Sequence, residues 1–373
     1  LTISDGGDND GIGVSAGGAS DILLSASSNL VIDAQVHSGG GHVTLQAGND
    51  IFINSAVSTL ASGSIYVAGH DVQVNAAVTN SDGDQLFKAT HDLSINAAVT
   101  STAGSIGMQA DHNLQVKATV STTAGDLRLT AKQDLNVDAV LSSTNGSIGL
   151  SANGNIAQMA NVTAGGDVLI EAGGDFTQSE GTSTSAGPLP LLPNGRTLQI
   201  TTGGTQRLGL LSAEHISLDA GGDILDINDI NLPDTLNLRA NTLRMKAGGI
   251  IGGTGDPATC DINTDALDME VGTVAAYSKD GIFLQELVSG GDLVVGHAEG
   301  QVKEFGLVSV DQVCFSHPDP LDPHEPFIGI TSSATKILDD LGTDNGPIKV
   351  VVRGGKLTIS DGGDNDGIGV SAG

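Results

Sequence analysis

The amino-acid sequence predicts an all-β fold, a parallel β-helix (solenoid) of coils about 21 residues long, on three observations. Apolar residues recur in register: Leu30, Ile51, Val72, Leu93, Leu114, Leu135 and Ile156 form one column, and Ile32, Ile53, Val74, Ile95, Val116 and Val137 a second. Val36, Val57, Val78, Val99, Val120 and Leu141 form a third, beside an alanine column of Ala26, Ala47, Ala68, Ala89, Ala110, Ala131 and Ala152 that shows no insertions. A fixed period near 20 is the mark of a solenoid. Within each unit, as in GHVTLQAGNDIFINSAVSTLAS, apolar and polar residues alternate with the two-residue period of strands, and Gly, Asn, Asp, Ser and Thr mark the breaks. Finally, 53 Gly, no Trp and 2% aromatic residues suit a thin core of small side chains and are too poor in bulky ones for a large round core.

The regular coils run from residue 20 to residue 164. No helical face appears in them, and the Leu-x-x-Leu-x-Leu pattern of leucine-rich repeats is absent, as are the longer helical units of TPR and ankyrin arrays. One coil cannot bury its apolar face alone. Stacked at about 4.8 Å, each coil pairs its backbone with the coils above and below, and equivalent side chains form ladders. About seventeen such coils would make a rod on the order of 80 Å long.

In chain order, residues 1–17 read as a strand followed by an acidic Gly/Asp turn, and residues 18–177 as regular coils. Residues 178–197 break the pattern, and AGPLPLLPNGR, with Pro188, Pro190 and Pro193, is expected to leave the stack as a loop because proline cannot donate to a central ladder. Residues 198–313 resume strand-like lines such as TLQITTGG and HISLDAGGDI with variable spacing. Residues 314–346 contain CFSHPDPLDPHEP and are expected to project as a Pro-rich loop, with a single helical turn at TKILDDL. Residues 347–373 return to strand.

Residues 1–17, LTISDGGDNDGIGVSAG, recur unchanged as residues 357–373. Seventeen identical residues do not arise by chance. The chain therefore reads as one unit of a larger tandem repeat with a period of 356 residues, the next unit having just begun at Leu357.

GHVTLQAGNDIFINSA and GDVLIEAGGD resemble the haemagglutinin repeats of filamentous-haemagglutinin-like adhesins. The likeness covers about half the chain. Residues 250–296, from IIGGTGDP to DLVVG, look like lines of giant bacterial surface proteins built from such coils. These resemblances imply a right-handed β-helix on an exported protein.

The charge of −29, from 15 Lys and Arg against 44 Asp and Glu, repels nucleic acid and anionic lipid and attracts cations. No run of about 18 apolar residues is present to span a bilayer, and the first residues do not read as a signal peptide. Asp5, Asp8 and Asp10, repeated as Asp361, Asp364 and Asp366, stand among glycines on a pliable loop, the setting in which several carboxylates can wrap Ca²⁺. A solvated turn is the competing reading. The loop also resembles the Asp-Asn-Asp-Gly-Ile-Gly core of thrombospondin type 3 calcium repeats but lacks their flanking Asp. No other cofactor is implied.

Cys260 and Cys314 are the disulfide candidates, although the 54 residues between them exceed two ideal coils, so only loops would bring them within bonding distance. His317, Asp319, Asp322, His324 and Glu325 offer metal-ligand chemistry in a spacing that matches no zinc motif.

Two polar columns accompany the coils. Asn29, Asp50, Asp71, Asp92, Asn113, Asp134 and Asn155 precede the same strand in each coil. They are expected to bond nearby backbone amides and fix turns, with a Ca²⁺-binding ladder as the alternative. His70, His91 and His112 stand beside them, 21 residues apart. They are expected to be exposed turn residues, with a transition-metal stripe or a cationic stripe at acid pH as alternatives. A further column, Asp33, Asn54, Asn75, Asn96, Lys117 and Asp138, is expected to face solvent or line a turn.

Polysaccharide-cleaving β-helices need clustered acids with Arg or Lys on one face, and aromatic platforms for sugars. Here the few cations are scattered, and no Ser/His/Asp or phosphate-binding motif occurs, so no enzymatic activity is expected. The expected function is that of a structural repeat unit of an extracellular bacterial fibre or giant surface protein, stacked head to tail on copies of itself. The alternative is an adhesin stalk that binds a host, cell-surface or matrix ligand, or other fibres, through loops 188–196 and 314–326.

Overall fold

The computed structural model describes residues 1–187, 195–228, 235–253, 266–310, 325–364 and 366–373, with side chains described outside 299–310 and 325–336. The described residues form an all-β parallel solenoid and contain no helix. They divide into two compact units, Leu1–Gly154 with Phe305–Thr331, and Asn155–Glu304 with Ser332–Gly373. No helix is long and apolar enough to cross a membrane.

In the first unit each coil contributes one five-residue and two shorter strands. Ile22–Ala26, Leu30–Ile32 and Gln35–Ser38 are followed by Val43–Ala47, Ile51–Ile53 and Val57–Thr59. Each strand pairs in parallel with its counterpart one coil later, as in Ile22↔Val43, Leu30↔Ile51 and Val36↔Val57. The three apolar columns point inward, and from Leu30 to Leu141 their members are fully buried. Ladders of identical β-branched side chains fill this narrow interior at little cost in rotamer freedom.

The alanine column is corrected at one coil. Gly69, not Ala68, pairs with Ala89, and Ala68 pairs with Lys88. The turn between Val57–Thr59 and Ile65–Gly69 is one residue longer than its neighbours, and the turn from Gly69 to Val72 is one shorter. Ala61 absorbs the extra residue with a left-handed φ of 51°. The two changes cancel, so the repeat stays at 21 while the frame slips inside it.

A glycine column runs through Gly41, Gly63, Gly83, Gly104, Gly125 and Gly146. A Cβ on Gly104 would run into the Gly83 carbonyl, and one on Gly125 into that of Gly104. Buried hydroxyls close the same turns. Thr122 Oγ1 donates to the Gly104 carbonyl at 2.9 Å and accepts the Gly125 N–H at 3.2 Å. Ser143 repeats this on Gly125 and Gly146.

In the second unit the same parallel pairing continues with uneven coil lengths. Val168 pairs with Leu198, Gln206 with Ile224, His215 with Thr242 and Ile282 with Ile348. Insertions therefore leave the stack between strands that stay in register. Strand already resumes at Ser183–Ala186, inside the stretch expected as a loop.

The expected loop 314–346 is also corrected in part. Glu325–Leu338 is a strand that pairs with Ala298–Val310 in a separate two-stranded sheet. Its alternating FIGITSSATKIL carries the β-branched residues that strands favour. TKILDDL therefore forms no helical turn: Leu338 ends one strand and Leu341 begins the next.

Candidate functional site

Two features stand out: a histidine–aspartate ladder on the first unit, and the duplicated segment at residues 1–17 and 357–373. The ladder arises from the short turn that joins the five-residue strand to the next. Because the turn backbones themselves stack, with the His91 N–H donating to the His70 carbonyl at 2.9 Å and the His112 N–H to that of His91 at 3.0 Å, the side chains must stack as well. The imidazoles of His70 and His91 lie 5.1 Å apart between centroids and 8° from parallel, and those of His91 and His112 lie 4.5 Å apart and 7° from parallel.

Carboxylates tie each imidazole to the preceding coil. His91 Nδ1 is 2.8 Å from Asp71 Oδ1, and His112 Nδ1 is 2.6 Å from Asp92 Oδ1. His70 Nδ1 stands at the longer distance of 3.4 Å from Asp50 Oδ1. The same carboxylate oxygens accept backbone N–H groups, Asp71 Oδ1 that of Asp92 and Asp92 Oδ1 that of Asn113, both at 3.0 Å. The expected Asx-to-amide bonding is thus present, but the amide belongs to the equivalent residue of the next coil rather than to a local turn.

Partial burial works against the charge on Asp71 and Asp92. The amide and imidazole donors outweigh it and hold both carboxyls below their ordinary range. The hydrogen bond to Asp71 in turn raises His91 above the usual imidazole value.

The solvent-side column is an amide ladder. Asn54 Nδ2 donates to Asp33, Asn75 to Asn54 and Asn96 to Asn75, each at 2.9 Å. A further ladder escaped the sequence reading because its residue type changes from coil to coil. Asp21 accepts the His42 N–H, Asp84 that of Ser105, Ser105 that of Asp126, and Asp126 that of Ser147. Its one sequence signal is a polar residue directly after the glycine column.

The duplicated segment forms strands in both copies. In the first, Thr2 and Ile3 pair with Val31 and Ile32, and Val14, Ser15 and Ala16 with Val36, His37 and Ser38. In the second, Leu357, Thr358 and Ile359 pair with Leu293, Val294 and Val295, and Val370, Ser371 and Ala372 with Leu341, Gly342 and Thr343. One copy is thus joined to the coil that follows it, the other to the coils that precede it. The intervening loop also repeats: the Ile12 N–H donates to Asp10 at 2.8 Å and the Ile368 N–H to Asp366 at 2.7 Å.

Asp5, Asp8 and Asp10 bring carboxylate oxygens within 4.8 Å of one another. In the second copy Asp340, from an adjoining strand end, joins Asp364 and Asp366 in place of Asp361. Asp361 instead accepts the Gly367 N–H at 3.0 Å. Asp340 was not legible as a partner because 24 residues separate it from Asp364.

Cys260 and Cys314 lie outside the described residues, as do His317, Asp319, Asp322 and His324 and most of the two loops expected to project. The side chain of Glu325 is likewise outside them. Searches against protein-family models, curated proteins and solved structures find no match to this chain.

Proposed function

We propose that the chain is a non-catalytic structural unit of an extracellular bacterial fibre or giant surface protein, in which consecutive units share one 17-residue segment as a common coil. The observation that carries this reading is the use of opposite edges by two identical sequences. Superposing residues 1–17 on 357–373 places Ile3 on Ile359 and Val14 on Val370. Ile359 pairs with Val295 on one side, Ile3 with Ile32 on the other, so the inward apolar column passes through the joint without a change of register. Val370 with Leu341 and Val14 with Val36 do the same for a second column.

Such sharing removes the open strand edges that would otherwise template aggregation. The low cysteine content, the charge of −29 and the likeness to haemagglutinin-type repeats support an exported location. Cations being few and scattered supports a role without catalysis.

Amide hydrogen exchange on a chain of two units overlapping by one 17-residue segment tests the joint. The amides equivalent to Leu357–Ile359 and Val370–Ala372 exchange slowly there, and at least tenfold faster in the single unit. Equal exchange in both chains would remove the shared coil from the proposal.

A further inference from the structure

We propose that His70, His91 and His112 form a binding site for one borderline divalent transition ion, Zn²⁺ or Cu²⁺, held by the Nε2 atoms of two imidazoles from adjacent coils. Imidazole nitrogen is a preferred ligand of both ions. The ion completes its shell with water.

The first support is placement. Three imidazoles on successive coils are fixed in one row by the backbone ladder, within 7–8° of parallel and 4.5–5.1 Å apart. Two ligands at about 2.0–2.1 Å from one ion need their nitrogens closer than about 4.2 Å. These side chains are 33–52% exposed, so a small χ rotation brings either adjacent pair together.

The second support is tautomer. A carboxylate offers no hydrogen, so the 2.8 Å and 2.6 Å contacts of His91 and His112 require the proton on Nδ1. Asn113 Nδ2 also lies 2.9 Å from His112 Nδ1, but the shorter carboxylate contact decides the proton's place. In the neutral ring, Nε2 then carries the free lone pair. This carboxylate–imidazole arrangement is the outer shell that metal-ligating histidines commonly have, and it makes the ring a better donor. Asp50, Asp71 and Asp92 add negative charge beside the row, which favours a dication. Binding of one ion excludes a second on the neighbouring pair, because His91 belongs to both.

The test is calorimetric titration of Zn²⁺ into the full chain at pH 7.5, paired with electron paramagnetic resonance of the Cu²⁺ form. One equivalent is expected to bind to the native chain, with nitrogen couplings from two imidazoles. His91→Ala should weaken binding roughly tenfold or more and remove the paired coupling. His70→Asn combined with His112→Asn should do the same while leaving His91 alone in the row, which guards against a folding defect in the first variant. His215→Ala should change neither reading. Native affinity and nitrogen coupling retained in both ladder variants would overturn the proposal, as would no Zn²⁺ binding by the native chain.

Discussion

Asn75 donates its side-chain amide to Asn54 at 2.9 Å and accepts that of Asn96 at the same distance, so one residue links three successive coils on the solvent side of the stack. Hydrogen bonds of this kind contribute about 0.5–1.5 kcal/mol each, and those at an exposed site fall at the lower end. Asn75→Ala removes both and is expected to destabilise the first unit by about 1 kcal/mol. A denaturant titration would show this as a lower midpoint with unchanged slope.

The glycine column makes a sharper prediction. Gly104 faces the Gly83 carbonyl so closely that any side chain must push two coils apart. Overpacking of this kind costs about 1–3 kcal/mol, and the backbone contact leaves no flexible atom to yield. Gly104→Ala should lower the melting temperature by several degrees. Gly181, with nothing near its Cβ position but a φ of 74°, should lose less when replaced by Asn, which tolerates that conformation.

Glu286 is fully buried, and its two carboxyl oxygens receive the Val271 N–H at 3.0 and 3.3 Å. Burial, with the charge of Glu270 adding to it and the Val271 N–H opposing it, pushes this carboxyl up to about 8. The folded chain therefore keeps the proton where the unfolded chain has lost it. Stability is greatest below the unfolded value of 4.5 and falls as pH rises toward about 8, by about 1.4 kcal/mol per pH unit. Glu286→Gln keeps an acceptor for Val271 and should remove this slope between those limits. Unfolding midpoints measured every half pH unit would reveal it, and identical slopes in the two proteins would contradict it.

Asp340 is held above the ordinary carboxyl range, first by burial and then by the charges of Asp364, Asp366 and Asp339, against the Gly362 N–H that it accepts. Its ionised form is thus a source of repulsion at neutral pH. Asparagine suits its φ of 65° and carries no charge. Asp340→Asn should melt roughly 1–2 °C higher in calcium-free buffer, a shift of under about 1 kcal/mol. Millimolar Ca²⁺ should narrow the difference by screening the native cluster, and a chelator should restore it.

The inward columns were legible because an apolar residue at a fixed period has one physical use in a solenoid, and Leu30 through Leu141 all fulfil it. The slip at Gly69 was not, since an insertion at Ala61 and a compensating deletion leave the period intact. Polar ladders were visible where the residue type repeats, as in Asn54, Asn75 and Asn96, and hidden where Asp, Ser and His alternate in one role. The histidine row was visible as a column, but its stack and its bonds to the preceding coil depend on turn backbones packing against one another. Asp340 joined the acidic loop through tertiary placement alone. The strand at Glu325–Leu338 was masked by the prolines before it.

The most direct test of the shared coil is a cryo-electron microscopy structure of two units joined through one 17-residue segment. The account predicts that the strand equivalent to Leu357–Ile359 pairs on one edge with Leu293–Val295 and on the other with the next unit's counterpart of Leu30–Ile32, in unbroken register. A segment paired on one edge only, with the second unit at variable angles to the first, would contradict it.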